Sequence, residues 1–154
     1  MHRARAIKPA DTWDPALAVD RVVLDADERH RRRVVLTGEG GTVFLLDLPR
    51  PVMLKDGDGL VLEDSGVVQV VGRPESLVAI TAASPDELAR LAWHIGNRHI
   101  DMQVVGNALR IRRDHVLEDM LLRLGAKLTP IEAAFTPEGG AYDEREGDHA
   151  FPHA

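Results

Sequence analysis

The chain has 154 residues, 44% of them hydrophobic, and a formal net charge of −6 at pH 7, so it can form one ordinary globular domain or two small ones. The acidic balance argues against a nucleic-acid or anionic membrane partner, no apolar run is long enough for a membrane span or a signal peptide, and we expect a cytoplasmic protein. The absence of cysteine excludes disulfides and thiolate metal sites, which leaves imidazole, carboxylate and backbone oxygen as possible metal ligands.

The first half of the chain, residues 1–73, is predicted to form an all-β domain. Short apolar runs at 22–24, 34–36 and 43–46 are bounded by glycine, aspartate and proline, as is typical of strands. The Asp-Gly pairs of Lys55–Gly59 predict a turn. Because no 3.6-residue apolar period occurs in this half, we expect no helix there.

The most basic segment of the sequence is Arg29–Arg33, which contains four arginines and His30. Its pattern favours a solvated loop or a charged edge strand. Docking of an acidic partner is the functional alternative. All histidines that are strong candidates for metal ligands lie after residue 90, so we assign partner docking to the first domain.

The second half, residues 74–135, has mixed α and β patterns. Ser84 and Pro85 are typical of a helix start, and a single apolar stripe follows, formed by Leu88, Leu91, Ala92 and Ile95. We therefore predict a helix over residues 85–95 that ends at Gly96.

The remaining elements of this half complete a ferredoxin-like pattern. An opening strand at 76–82 precedes the helix, and a hairpin turning at Gly106–Asn107 follows it. Asp114 is the predicted N-cap of a second helix that stops at Gly125, and a last strand fits 127–135. The fold class is thus α+β, an N-terminal all-β domain followed by a βαββαβ domain. Residues 136–154, rich in glycine and acidic residues, are predicted to be a disordered tail.

Two histidines flank the predicted end of the first helix. His94 lies within the helix, and we interpret it as a partly buried structural residue. Gly96, Asn97 and Arg98 already supply what a helix end needs, so His99 has no structural task there. We expect His99 to be exposed and rigidly held, although such a position alone indicates only a surface histidine.

Three further histidines are candidate metal ligands. His115 follows Asp114 at the start of the second helix, where it is either an ordinary first-turn residue or a ligand oriented by Asp114 and Glu118. His149 and His153 lie four residues apart in the tail, where little packing is available, so we interpret them as mobile ligands.

Two motifs make the sequence resemble the UreE family of urease accessory proteins, "LARLAWHIGNRHI" at 88–100 and "DHVLEDMLLRLGA" at 114–126. The run "RHRRRVVLTGEGGTVFLLDLPRPVMLKDGDGLVLEDSG" is similar to the family's N-terminal domain. The resemblance implies a homodimeric nickel metallochaperone in which His99 meets its copy across a two-fold axis and binds Ni²⁺. The tail histidines would supply further ligands. Some members have a histidine where this chain has Arg113, so their secondary site is not expected here.

The resemblance also implies the partners, an accessory GTPase and the apo-urease activation complex, and a carrier that is not itself an enzyme. A general zinc, copper or nickel-binding protein stays open as an alternative, because Zn²⁺ or Cu²⁺ can compete for imidazole. A metal-dependent hydrolase would need a general base beside His99, which the sequence does not offer. An RNA-binding domain shares the βαββαβ order, but "ALRIR" lacks the aromatic residues that stack on bases.

Overall fold

The structure is a computed structural model that describes residues 1–64 and 66–139. These residues divide into two units, Met1–Arg73 and Pro74–Glu138, which we describe separately. The first unit is almost entirely β and the second is α+β, which confirms the predicted fold class. None of the helices in the described ranges is long and apolar enough to cross a membrane.

The first unit contains a six-stranded mixed sheet of β1 (His2–Lys8), β2 (Asp20–Leu24), β3 (His30–Thr37), β4 (Val43–Met53), β5 (Gly59–Leu62) and β6 (Val67–Gly72). The strand order is β2-β6-β5-β1-β4-β3, with β1 parallel to β4 and β2 parallel to β6. The core is formed by alternate apolar residues of these strands, Ala4, Val22, Leu24, Phe44, Leu46, Leu48, Leu60, Leu62, Val68 and Val70, with Leu54 after β4.

Three elements of this unit were not predicted, and one of them is a 3-10 turn at Pro15–Leu17. Strand β1 lies inside the sheet, but its sequence alternates arginine with alanine and buries only Ala4, so it lacks the apolar run that identifies a strand. A single helical turn, α1 (Ala26–Arg29), contradicts the expectation of no helix. The turn is too short for a 3.6-residue period and is fixed instead by a capping box between Asp25 and Glu28.

The prediction for the basic segment is partly wrong. Arg29 is fully buried, and its guanidinium donates hydrogen bonds to the backbone oxygens of Leu24 at 3.2 Å and Leu54 at 3.1 Å. The three arginines that follow, residues 31–33, are exposed on β3, the edge strand of the sheet, as expected. Arg29 therefore holds two chain segments together and is not part of the charged surface.

Asp20 fixes the turn between β3 and β4. Its carboxylate accepts backbone N–H groups from Gly40 at 2.8 Å, Thr42 at 3.0 Å and Arg21 at 2.7 Å. Burial raises the pKa of this carboxyl, but the hydrogen bonds from Gly40, Thr42 and Arg21 outweigh that effect and lower it to about 2. The approach is so close that a Cβ at Gly38 would lie 2.3 Å from the carboxylate, so glycine is required there.

The second unit has the predicted βαββαβ order. Its elements are β7 (Pro74–Thr81), α2 (Pro85–Asn97), β8 (Gln103–Val105), β9 (Ala108–Arg112), α3 (His115–Arg123) and β10 (Lys127–Ala134). The antiparallel sheet has the order β10-β7-β9-β8, as in ferredoxin-like domains. The core lies between this sheet and the two helices and contains Val78, Ile80, Leu91, Ile95, Leu109, Ile111, Leu117, Leu121 and Ala126.

Residues 135–138, which we name the crossover segment, differ from the sequence prediction. From Thr136 onward they were assigned to the disordered tail, but Phe135 and Pro137 are buried. The N–H of Glu138 donates to the backbone oxygen of Met102 at 2.7 Å, which places the segment beside β8. The predicted tail residues from 140 onward, including His149 and His153, lie outside the described residues.

We predict that Asp20→Asn lowers the free energy of unfolding at pH 7 by about 1–2 kcal/mol, because the carboxylate accepts its N–H groups more strongly than a neutral amide. Since the pKa of Asp20 in the folded chain, about 2, is below the ordinary value of 3.8, this contribution is complete above pH 5 and is lost as the pH falls towards 2. Urea unfolding of a Trp93→Phe chain, followed by the fluorescence of Trp13, measures it.

The matched control is Asp11→Asn, which changes an exposed carboxylate whose backbone, at φ 71°, asparagine also accepts. This control should leave stability within about 0.5 kcal/mol of the unsubstituted chain. A deficit for Asp20→Asn that is equally large at pH 7 and pH 3 would contradict the role of the ionised carboxylate.

Candidate metal-binding site

His99 itself ends α2, contrary to the prediction that Gly96–Arg98 do so. The helix continues through Gly96 to Asn97, and His99 adopts the left-handed conformation with φ 58°. Its N–H donates to the oxygen of Gly96 at 3.0 Å, and the N–H of Ile100 donates to the oxygen of Ile95 at 3.5 Å. These two bonds define a Schellman motif, in which His99 occupies the position that is usually glycine.

Helix α3 ends with the same motif and provides an internal comparison. There the left-handed residue is Gly125, with φ 92°, and the bonds run from Gly125 to Leu122 and from Ala126 to Leu121, each at 3.0 Å. A side chain in this conformation is disfavoured by roughly 1 kcal/mol or more relative to glycine, and such residues concentrate at functional positions. The chain therefore places an imidazole where the backbone favours glycine.

The motif determines how His99 is presented. Its side chain is exposed, as the sequence predicted, while Ile100 packs against the core of the second unit. Because the N–H groups of His99 and Ile100 are both hydrogen-bonded, the backbone that carries the His99 side chain is fixed, although the imidazole ring reaches solvent. The sequence signal that could have located this end is the apolar pair Ile95 and Ile100, since such a pair accompanies Schellman motifs.

A cleft of about 300 Å³ brings the two sequence motifs together. It is lined by His99, Ile100 and Asp101 from the chain after α2 and by residues 112–114 from the chain before α3. Arg112 donates to Asp101 at 3.2 Å and to Glu75 at 3.0 Å. The cleft thus has one exposed imidazole, while the carboxylate of Asp101 is paired with a guanidinium.

The carboxylates near His115 do not orient its imidazole, which corrects one sequence interpretation. Glu118 accepts two hydrogen bonds from the Arg113 guanidinium, both at 3.0 Å, and one from the N–H of Asp114 at 2.8 Å. The Arg113 guanidinium therefore holds the pKa of Glu118 below its usual value. Asp114 caps α3 by accepting the N–H of Leu117 at 3.0 Å. His115 itself is exposed at the first position of α3.

The other candidate histidines contribute little to a site in the described chain. His94 is partly buried, as predicted, and its ring lies edge-on to Trp93 at a centroid distance of 5.1 Å. Within residues 1–64 and 66–139, no group of three or more histidine, aspartate or glutamate side chains could hold a metal ion. In this part of the chain, His99 in its cleft is the candidate that the geometry favours.

Comparison with known proteins covers both units. Residues 2–72 match the family model described as the N-terminal domain of UreE urease accessory protein, and residues 75–154 match the model of its C-terminal domain. Together the two matches extend over nearly the whole chain.

Individual relatives carry the name of the same family. The chain is 52% identical over 153 residues to urease accessory protein UreE of Rhodopseudomonas palustris (strain BisB18), covering 97% of this chain and 72% of the relative. It is 50% identical over 153 residues to the protein of the same name from Bradyrhizobium sp. (strain BTAi1 / ATCC BAA-1182), covering 99% and 73%. For the protein of that name from Beijerinckia indica subsp. indica, identity is 46% over 149 residues, with coverage of 97% and 86%.

We predict that the metal-free chain becomes more stable by about 0.5–1 kcal/mol on His99→Gly, whereas His99→Ala gives no such gain. The reason is that glycine adopts the left-handed conformation without strain. Urea unfolding of a Trp13→Phe chain in the presence of EDTA, followed by the fluorescence of Trp93 on α2, measures the difference between the two variants.

Arg98 provides the control, since its φ of −97° is accessible to every residue and gives glycine no advantage. Arg98→Gly should be less stable than Arg98→Ala by about 0.5–1 kcal/mol, the reverse of the order at residue 99. The same order at both positions would contradict a left-handed His99.

Proposed function

We propose that the chain, which belongs to the UreE family of urease accessory proteins, binds nickel and delivers it during assembly of the urease active site. The observation that carries this proposal is the presentation of His99, an exposed imidazole held at a position where the fold favours glycine. Neutral imidazole is a good ligand for Ni²⁺, and a cysteine-free chain offers no thiolate to compete with it. Nickel is the cargo in this function.

A homodimer would convert this one residue into a two-ligand site. In a pair related by a two-fold axis, the same surface of each copy meets the other, so His99 of both copies can bind one ion. Further ligands are proposed from His149 and His153, and His115 remains a candidate because it is exposed near the cleft. A site built from a few separate imidazoles can release its ion to a partner more readily than a closed cage.

The carboxylates of the cleft favour a carrier over a metal-dependent hydrolase. A metal-dependent hydrolase commonly places a free base beside the water on its metal, to take the proton of that water. Asp101 is paired with Arg112, and Asp114 caps α3. Both carboxylates that line the cleft are therefore engaged in structural contacts, whereas binding and release of an ion require no base.

Delivery requires recognition of the receiving complex, which we assign to the first unit. Of its two histidines, His2 bonds to Asp64 at 2.6 Å, and His30 lies in strand β3, so neither is presented as His99 is. The exposed arginines at 31–33 offer a basic edge to an acidic partner surface. The proposed partners are the accessory GTPase and apo-urease. Since Cu²⁺ binds imidazole more tightly than Ni²⁺, and Zn²⁺ competes, partner recognition rather than affinity would determine which ion is delivered.

We predict one tightly bound nickel per two chains, and a loss of affinity of about 100-fold or more on His99→Asn, since the substitution removes both central ligands. Asparagine is chosen because it tolerates the left-handed conformation and so preserves the end of α2. Isothermal titration together with light scattering measures the stoichiometry and the mass of the particle, which should remain dimeric.

His115→Asn is the matched control, an exposed histidine in an ordinary helical position. It should reduce affinity much less than His99→Asn. One tight nickel per single chain, bound equally well without His99, would refute the shared site.

A further inference from the structure

The cleft that contains His99 is lined by equal numbers of carboxylate and guanidinium groups. Asp101 and Asp114 supply the carboxylates, and Arg112 and Arg113 supply the guanidiniums, so their formal charges cancel. Both carboxylates already accept hydrogen bonds, that of Asp101 from Arg112 and that of Asp114 from the first turn of α3. The oxygen ligands of the cleft are therefore engaged in other contacts, beside an imidazole that reaches solvent.

The guanidinium of Arg112 is held in place by contacts that do not involve Asp101. Its Nε donates to a carboxylate oxygen of Glu75 at 3.0 Å, and the Glu75 side chain is only 17% exposed. The guanidinium also lies 4.9 Å from the centre of the fully buried ring of Phe135, a favourable cation–π contact. Glu75 belongs to β7 and Phe135 follows β10, so two strands fix the position of this cation.

A different nitrogen of the same guanidinium holds Asp101. Nη1 of Arg112 donates to a carboxylate oxygen of Asp101 at 3.2 Å, and the Asp101 side chain is 46% exposed. Asp101 follows His99 by two residues, so the two Cα atoms are at most about 7 Å apart, and both residues line the same cleft. A carboxylate this close can reach an ion at His99 when it is not held by Arg112.

A carboxylate ligand would change which ions occupy the cleft. Imidazole suits Ni²⁺, Zn²⁺ and Cu²⁺, whereas carboxylate oxygen suits the hard cations Mg²⁺, Ca²⁺ and Mn²⁺. A released Asp101 would add an oxygen ligand beside His99, and a two-fold axis would duplicate both residues around one ion. A carrier without nickel would then fill with hard cations and would not be open to its cargo.

We propose that Arg112 determines which ions occupy the nickel site, because it holds the Asp101 carboxylate away from the ion and so keeps hard divalent cations out. This inference rests on the proposed function, in which His99 binds nickel. Arg112 does not touch the metal and is a positioning residue that acts through Asp101. Lysine would not replace it, because a single ammonium lacks the rigid, planar set of donors that contacts Glu75 and Asp101 together.

The test releases Asp101 and measures which ions the full chain then binds. Arg112→Gln keeps a polar side chain but removes the guanidinium that holds Asp101. The double variant Arg112→Gln/Asp101→Asn also removes the released carboxylate and restores the net charge of the unsubstituted chain. The matched control is Arg110→Gln, which removes the same charge from the same strand, β9, at a residue that is not among those lining the cleft. Ni²⁺ affinity is measured by isothermal titration, and Mn²⁺ affinity by the electron paramagnetic resonance signal of the free ion.

We expect Arg112→Gln to bind Mn²⁺ about 10-fold more tightly than the unsubstituted chain, and Ni²⁺ at least as tightly. The gain for Mn²⁺ should persist in about 1 M NaCl, where screening acts over about 3 Å, because it comes from a ligand and not from a distant charge. The double variant and Arg110→Gln should show no gain. A gain that persists in the double variant or disappears in salt would overturn the proposal, as would weaker binding of both ions, which a merely structural role of Arg112 predicts.

Asp101→Asn in the otherwise unsubstituted chain tests the same idea without disturbing Arg112, so it decides the matter even if Arg112→Gln does not fold. Because Asp101 is held away from the ion, nickel affinity should fall by less than about 3-fold, the effect of one exposed charge. A loss as large as that of His99→Asn would overturn the proposal, since Asp101 would then be a ligand already. If His99→Asn abolishes nickel binding but Arg112→Gln gains no Mn²⁺, the role of Arg112 is wrong and the proposed function stands. If His99→Asn leaves nickel binding unchanged, the proposed site is refuted and this inference with it.

Discussion

The Schellman hydrogen bonds that end α2 are the constraint on which the candidate site depends. They turn the chain sharply after Asn97, pack the partly buried Ile100 against the core and leave His99 exposed in the left-handed conformation. Gly125 performs the same turn after α3 without strain. The contrast between the two helix ends supports the proposal that residue 99 is retained for its imidazole, because strained residues concentrate at functional positions.

The ferredoxin-like sheet supplies the rest of the arrangement. Its antiparallel order brings the chain after α2 and the chain before α3 to one cleft, although they are distant in sequence. Arg112 connects the parts, since its guanidinium pairs with Asp101 and Glu75 and lies over Phe135. One cation thus joins the cleft to the beginning of the crossover segment, so that the ends of several elements are held in fixed relation around His99.

Local signals in the sequence predicted most of the second unit. Ser84 and Asp114 cap their helices as expected, and the two-residue hairpin at Gly106–Asn107 is confirmed. Features set by distant contacts could not be predicted in this way. Arg29 is buried because a carbonyl 25 residues away accepts its hydrogen bond. The same limit applies to the helix end at His99, where packing of Ile100 against the core outweighs the more obvious stop signals at Gly96 and Asn97.

Coverage of the β8 edge affects how the chain behaves before it meets any partner. An uncovered edge strand exposes backbone donors and acceptors that can pair with another chain and start aggregation. Here the N–H of Glu138 donates to the backbone oxygen of Met102, and the Glu138 carboxylate accepts the N–H of Val104. About half of Val104 remains exposed. A chain truncated before Phe135 would lack these hydrogen bonds and would expose the unpaired backbone groups of β8 as an edge strand. If such a truncated chain aggregates, the exposed edge of β8 is the cause, and not the loss of a metal ligand.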